Sequence, residues 1–390
     1  MPDFTILGDA VVHDILINLA KEEILTLQKQ LAESLREFSV GDERKYQVES
    51  SVSARPNGDR TLFRPFTSPT SVGVKIMVSA VDTGQNNDTS QAKDGAPQTF
   101  KKRPVQGVVV VLDNEGNPVG VIDGKEITGY RTSLSALLGY VRRSRTTNIV
   151  VFGAGKCAIW HIRLALALRG SEIKRITVVN RSKDRAVSMI DQVLEENQKL
   201  WKSDTTIEYL DQEGGKYEQA LERLIQEADV IFCNITSEKP LFPASYLTKK
   251  AKADRGPYIS AVGSWQSDLI EVDPSLLRYI VDSPEGYNPL SEKGGAVIVD
   301  DRKKAMEETG EGIQSRLKTE DWVEWGEIFN LENQLQTEGS SEQHQRLKSW
   351  LEDGLVVYKS IGVSITDLVT SNFLLSIARK HDLGVVVPGF

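Results

Sequence analysis

Ile149-Val150-Val151-Phe152-Gly153-Ala154-Gly155-Lys156-Cys157-Ala158 is the stretch on which the fold of this chain turns. Four consecutive apolar residues read as a strand buried on both faces. The residues after it match G-x-G-x-x-G/A, with Ala158 in the last place. Each small residue has a task in that pattern. Gly153 permits the tight turn, Gly155 lets the backbone approach a pyrophosphate, and Ala158 lets the following helix pack closely on the strand. The helix that begins here then offers unpaired N–H groups and a positive partial charge to phosphate. The motif alone is weak. Its position between a strand and a helix, at the head of an alternating region, makes Gly153, Ala154, Gly155, Lys156, Cys157 and Ala158 candidate cofactor contacts.

Downstream, strand-like segments recur at Ile176 to Asn180, Ile207 to Leu210, Val230 to Asn234 and Tyr258 to Val262, with helical segments between them. That alternation predicts a doubly wound parallel sheet, an α/β Rossmann fold. The second strand ends in Asn180, where NAD-binding members of this fold place an acid on the ribose 2′-hydroxyl. Asn180 carries no charge to repel a phosphate, and Arg181, Ser182, Lys183 and Arg185 follow it. A guanidinium and a hydroxyl suit a 2′-phosphate, so NADP(H) is favoured over NAD(H). Asn234 and Thr236, at the exit of the fourth strand, fall at the edge that faces cofactor in this fold. Val262 and Ser360, at the ends of later strands, are grouped with them.

Upstream, Val12, Ile15, Leu16, Leu19, Ile24, Leu27, Leu31 and Leu35 fall at helical spacing and predict one or two amphipathic helices. Short β-type runs follow at Thr61 to Phe66, Val72 to Val81, Gly107 to Leu112 and Val119 to Ile122, with a turn at Asp113 to Pro118. This α+β layer is separated from the Rossmann region by a helix expected over Thr132 to Arg143. Residues Gly84 to Pro104 are polar and read as a long surface loop. Residues 302–353 read as a mostly polar, helical expansion. A strand at Val356 to Ser360 and a helix at Thr366 to His381 close the chain.

Composition narrows the function. A net charge of −8 argues against a general nucleic-acid binder, which needs a basic surface. No apolar run has the length of a membrane span, and the N-terminus lacks a signal-peptide pattern. Two cysteines, Cys157 and Cys233, exclude a disulfide framework, and four scattered histidines give no metal-ligand spacing. The expectation is a cytoplasmic protein with no metal, no nucleic acid and no membrane partner.

Three further stretches resemble the ornithine cyclodeaminase/μ-crystallin family. Asp123-Gly124-Lys125-Glu126-Ile127-Thr128-Gly129-Tyr130-Arg131-Thr132-Ser133 resembles that family's D-G-x-x-L-T-x-x-R-T segment. Gly73-Val74-Lys75-Ile76 resembles the strand that carries its active-site lysine. Val357-Tyr358-Lys359-Ser360-Ile361-Gly362-Val363-Ser364-Ile365-Thr366-Asp367 resembles its F-x-S-x-G-x-x-x-x-D ending. Ala261-Val262-Gly263-Ser264 with Asp268, and Gly326-Glu327, also fit. The resemblance implies a substrate-binding and dimerisation domain over residues 1–131, with 363–390 packing back on it. Residues 132–362 would form the Rossmann domain, and the protein would be a homodimer.

The same resemblance assigns roles. Arg131 holds the substrate α-carboxylate with two parallel hydrogen bonds. Lys75 gives a second contact and a proton, and Asp268 acts as acid or base on the substrate nitrogen. Two departures matter. The family's first arginine aligns with either Glu49 or Arg55, and Arg55 is preferred as a substrate contact. Arg64 replaces a common methionine, and Leu62 stands about where ornithine-cyclising members use a glutamate. The implied chemistry is hydride transfer between the nicotinamide and the α-carbon of a small-molecule amino or imino acid. Reduction of a ketimine carboxylate is preferred. The alternatives are a redox-neutral cyclodeaminase that releases ammonia, an amino-acid dehydrogenase, and a non-catalytic binder of small ligands.

Overall fold

In a computed structural model the residues described are 3–79, 81–82, 101–102, 105–211, 215–248, 255–284, 286–291, 294–338 and 342–390. The chain opens on β1 (Phe4–Leu7), α1 (Asp9–Ile17) and α2 (Lys21–Val40). It continues through β2 (Ser51–Ala54), β3 (Arg60–Thr67), β4 (Ser71–Ser79), a short pair β5 (Val81–Asp82) and β6 (Lys101–Lys102), β7 (Gln106–Asp113) and β8 (Pro118–Asp123). Helix α3 (Gly124–Tyr140) follows, then β9 (Asn148–Phe152), α4 (Lys156–Arg169), β10 (Arg175–Val179), α5 (Lys183–Lys199), β11 (Thr206–Tyr209), α6 (Tyr217–Glu227) and β12 (Val230–Cys233). The remainder is α7 (Ser245–Thr248), β13 (Tyr258–Ala261), α8 (Pro274–Asp282), β14 (Val297–Val299), α9 (Arg302–Glu308), α10 (Gly310–Ser315), β15 (Trp322–Glu324), α11 (Trp325–Glu338), α12 (Glu342–Asp353), β16 (Val356–Lys359), α13 (Ile365–Lys380) and β17 (Val385–Val387).

The described residues of 1–16, 45–128 and 367–390 form one unit, built from both chain ends. Its seven-stranded sheet has the order β17-β1-β8-β7-β4-β3-β2. The meander pairs β3, β4, β7 and β8 antiparallel, and β1 joins β8 in parallel. Strict alternation along β4 sorts its side chains. Ser71, Gly73, Lys75 and Met77 are buried on one face, while Val72 and Val78 are exposed on the other. The inner face receives α13: Asn372 bonds Ser71, and Leu375 packs where a side chain on Gly120 would sit. Gly73 is required because Phe66, fully buried on the neighbouring strand, covers it directly. The outer face is an apolar sheet surface in which Phe63, Val72, Val78 and Val108 are all exposed.

The described residues of 17–44 and 129–366 form the other unit. Its sheet is eight-stranded and parallel throughout, in the order β11-β10-β9-β12-β13-β16-β14-β15. The order reverses between β9 and β12, which creates a crevice at their carboxyl ends. The expected doubly wound α/β fold is therefore present.

Several boundaries differ from the sequence reading. The helix α2 belongs to this unit and not to a continuous domain of residues 1–131. Its buried stripe of Ile24, Leu27, Leu31, Leu35 and Phe38 seals a helical face here, and Gln28 bonds the carbonyl of Leu134. Gly326 at the start of α11 lies against the Leu35 carbonyl and Ser39, so the two helices meet backbone to backbone. Residues 302–353 are not wholly helical, because β15 extends the sheet inside them. Helix α3 starts at Gly124, a full two turns before the expected Thr132. Most of the polar stretch from Gly84 to Pro104 lies outside the described residues.

Candidate active site

The carboxyl ends of β9 and β12 carry the glycine loop. Gly153 adopts a φ of +110°, open to glycine at little cost, and an added Cβ would meet the Asn234 carbonyl oxygen at 2.9 Å. Gly155 is the N-cap of the 14-residue helix α4, and an added Cβ there would meet nothing within 4 Å. The space beside that helix N-terminus is open, as an anion seat requires. Ala158 is fully buried against the sheet, as expected for the close-packing position.

Across the crevice, both polar atoms of the Asn234 amide are buried and make no hydrogen bond among the described residues. A buried amide without a partner costs about 1–3 kcal/mol. A ligand that both donates and accepts would satisfy it. Together with the open cradle at Gly155, this fits a dinucleotide. Asn180 directly follows β10 and donates its amide to the Ser182 carbonyl at 2.7 Å. Arg181 and Arg185 are exposed beside it, and Lys183 pairs with Asp211 at 3.3 Å. Thr236 is exposed, and Val262 is partly buried with its N–H donated to the Cys233 carbonyl. Ser360 is turned inward: it is buried and donates to Asp300 at 2.7 Å, so its hydroxyl is already used within the protein.

Arg131 lies on α3, one turn after Thr128, and is 5% exposed. Its charge reaches the buried Tyr358 phenol, whose pKa burial pushes well up while the arginine pulls it down. Two residues on, Ser133 Oγ lies 2.9 Å from His161 Nδ1 and 3.1 Å from the Cys157 carbonyl oxygen. This contact fastens α3 to the first turn of α4. Burial drives the His161 pKa down to about 4, so the ring is neutral and structural. Gly129 is needed in the same helix contact, because a Cβ would meet Trp160 at 2.9 Å.

A second cluster stands on the inner face of the seven-stranded sheet. Arg64 and Lys75 are cross-strand neighbours in register on β3 and β4. Lys75 Nζ donates to Asp367 Oδ1 at 2.8 Å and reaches Thr128 Oγ1 at 3.4 Å. Arg64 Nη1 is 4.0 Å from Asp367 Oδ2. The Lys75 and Asp367 side chains are 2% and 0% exposed. Two cations and one carboxylate therefore share a dry face, which suits an anionic substrate and holds a proton donor in place. Leu62 and the buried Met77 are the next cross-strand pair on that face, and both are apolar.

Not every candidate joins these groups. Arg55 sits in the exposed β2–β3 turn, where its N–H bonds the Asp59 carbonyl. Register places Arg60, at the mouth of that turn, opposite Ser79, four residues along the strand from Lys75. Asp268 is exposed in the segment after β13 and makes no described hydrogen bond. Asp367 was visible only as the last letter of a motif, and its place beside Lys75 is a product of chain-end packing. A cavity of about 710 Å³ lies elsewhere. It lies at the amino ends of the parallel strands, lined by Arg145, Asp229, Arg255 and Asp353. Its charges pair among themselves, with Arg145–Asp229 at 2.5 Å and Arg255–Asp353 at 3.2 Å.

A family model described as shikimate/quinate 5-dehydrogenase matches residues 138–260, the glycine loop and its neighbouring strands. A protein of Dictyostelium discoideum named an uncharacterized cyclodeaminase is 27% identical over 80% of this chain and 77% of its own length. A Δ1-pyrroline-2-carboxylate reductase of Bacillus cereus is 23% identical over 73% of this chain and 74% of its own. The solved Δ1-pyrroline-2-carboxylate reductase of Thermococcus litoralis, in complex with NADH and L-proline, shares the fold with a TM-score of 0.64. It is 17% identical and covers 98% of this chain and 100% of its own.

Proposed function

The chain belongs to the ornithine cyclodeaminase/μ-crystallin family, and we propose that within it the protein reduces the C=N bond of a ketimine carboxylate to an amino acid, with NADPH as reductant. The observation that carries this reading is the dry cluster of Lys75, Asp367 and Arg64, which offers a carboxylate anchor and a proton donor on one sheet face. NADPH, when held by the crevice residues, would supply the hydride for the imine carbon, and Lys75 would supply the proton for the nitrogen, which together give the amine. Lys75 and Arg64 would anchor the substrate carboxylate, so positioning supplies most of the rate gain. Lys75, held by Asp367, is also the proposed proton donor. The apolar pair Leu62 and Met77 leaves no acid there for a distal amine, which favours reduction over cyclodeamination.

The crevice residues would hold the cofactor: the α4 N-terminus at the pyrophosphate, Asn234 at the nicotinamide half, and Asn180 with Arg181 and Ser182 at the adenosine ribose. Arg181→Ala is expected to weaken NADPH binding by about tenfold or more, the loss of a charge-assisted contact to phosphate, and to leave NADH binding unchanged. Parallel fluorescence titrations check this; equal losses for both nucleotides would remove the 2′-phosphate reading. For the reaction, the protein is mixed with NADPH and five- or six-membered cyclic ketimine carboxylates. One amino acid formed per NADPH consumed supports the reading, and ornithine converted with ammonia release and no net cofactor change sinks it.

The exposed apolar face of the first unit's sheet is the proposed homodimer surface, since a patch of this kind marks an interaction site. Val108→Asp places a charge in the middle of this face, between Ile76 on β4 and Asp123 on β8. The variant should elute as a monomer on size exclusion, with its melting temperature little changed in the isolated chain. An unaltered elution volume would move the interface elsewhere.

A further inference from the structure

Glu271 lies ten residues beyond the end of β13 in the chain, yet its side chain returns to the carboxyl edge of the sheet. It is fully buried. Oε1 accepts the N–H of Ile235 at 2.8 Å, and Oε2 accepts those of Gly263 at 2.5 Å and Ser264 at 3.1 Å. Ile235 directly follows Asn234 at the exit of β12, and Gly263 and Ser264 follow Val262 at the exit of β13. One carboxylate therefore joins the two loops that form this part of the crevice rim. Gly263 is matched to it, because a Cβ there would meet the Ile235 carbonyl oxygen at 2.5 Å and Glu271 Oε1 at 2.6 Å.

A second layer supports the clamp. Ser264 Oγ donates to Glu311, and Lys359 Nζ stands 3.8 Å from the Glu311 carboxylate while donating to the Ser360 carbonyl at 2.9 Å. Glu311 and Lys359 are both buried. Nothing in the proposed hydride transfer uses any of these three charges.

We propose that Glu271 is a positioning residue for the cofactor: as a carboxylate it ties the β12 and β13 exit loops into one rigid rim, and its protonation loosens them. The inference rests on the nicotinamide-binding reading above. Three N–H groups fill three of the roughly four lone-pair sites of the carboxylate, so an added proton takes the remaining site on Oε1 and removes the negative charge that strengthens all three bonds. The clamp is at full strength only in its charged state.

The surroundings set where that state is lost. Burial pushes the Glu271 pKa up to about 7, opposed by the Lys359 ammonium from β16, reinforced by the Glu311 carboxylate from α10, and opposed by the backbone donors. The Cys233 thiol on β12 also faces it and is itself raised by burial, so it stays neutral. Above the inflection the rim is tied; below it the rim loosens.

The test is a fluorescence titration of the full chain with NADPH and with NADH from about pH 5.5 to 8.5, a window that brackets neutrality. The two nucleotides separate the protein's inflection from that of the 2′-phosphate, which NADH lacks. Wild type should lose affinity for both by about tenfold per pH unit below the inflection, the slope of one obligatory deprotonation. Glu271→Gln should bind weakly with no inflection. Glu311→Gln should move the inflection to lower pH and Lys359→Met should move it to higher pH, shifts that a merely structural role would not produce. Should Glu271→Gln fail to fold, the direction of the Glu311→Gln shift decides. The inference is overturned when Glu271→Gln keeps the wild-type profile or when Glu311→Gln leaves the inflection in place. If wild type binds neither nucleotide at any pH, the nicotinamide reading falls and takes this inference with it; binding with an unmoved inflection removes this inference alone.

Discussion

Gly155→Asp abolishes cofactor binding while the protein keeps or gains stability. The two effects have opposite signs because one site serves both. The Gly155 backbone has a φ of −104° and a ψ of −174°, an extended conformation any residue adopts, and an added side chain meets open space. As N-cap of α4, an aspartate can accept hydrogen bonds from the first-turn N–H groups and stabilise the helix by about a few tenths of a kcal/mol over glycine. The same carboxylate then occupies the seat of the pyrophosphate and repels it. The Kd for NADPH should rise by at least about 100-fold, since both the donors and the favourable dipole are lost to the ligand. Thermal melting and NADPH titration on one preparation check both halves. A stable variant that still binds NADPH would place the cofactor elsewhere. Gly153→Ala is the contrasting case: with φ at +110° and the Asn234 carbonyl adjacent, it costs about 1–3 kcal/mol of backbone strain.

Lys75→Met is expected to remove activity and stability together, and a second substitution separates them. Lys75 and Asp367 form a buried pair at 2.8 Å. Removing Lys75 takes the nearer of two cations from Asp367 and leaves Arg64 at 4.0 Å, so the cost should stay below the about 3–5 kcal/mol of a fully broken buried pair. Turnover should fall by about 100- to 10,000-fold, the usual contribution of a positioned proton donor. The double variant Lys75→Met with Asp367→Asn removes both charges, so stability should return to within about 1–2 kcal/mol of wild type. Activity should not return, because the proton and the second carboxylate contact are still missing. Recovery of turnover in the double variant would show that Lys75 acts only through the fold. Urea midpoints and steady-state rates on the two proteins give the answer.

The Rossmann half was legible in the sequence because its signals are local. Five strands fall where the apolar runs predict, and Gly153, Gly155 and Ala158 occupy the positions their sizes imply. The first unit's meander was equally plain from alternation in Val72 to Val78. What escaped the sequence was non-local or short. Strands β14 and β15 have three residues each, too few for a periodicity to register. Helix α3 was placed late because Gly124 and Gly129 look like loop residues, yet Gly129 is small so that Trp160 and Lys156 can approach. Helix α2 was assigned by sequence proximity, but its apolar stripe finds its cover in the Rossmann unit.

The candidate site divides in the same way. Lys75 and Arg131 were named from motif resemblance and Arg64 as a departure from it, and their residue types fit carboxylate recognition. Asp367 pairs with Lys75 across 292 positions of sequence, a contact that no window of spacing contains. Glu271 carries no local sequence signal, because its three backbone donors come from loops that only the folded sheet brings together. Arg55 illustrates the reverse: alignment by residue type selected a guanidinium that the hairpin turn carries away from Lys75.

The most direct test of the proposed reaction uses NADPH carrying deuterium at the transferred position of C4, incubated with the protein and Δ1-pyrroline-2-carboxylate or its six-membered homologue. The account predicts one deuterium on the α-carbon of the amino acid for each cofactor oxidised, with the label absent from every other carbon. Tight NADPH binding without label transfer to any ketimine carboxylate, or ornithine converted to proline with ammonia release and no net oxidation of cofactor, would contradict it.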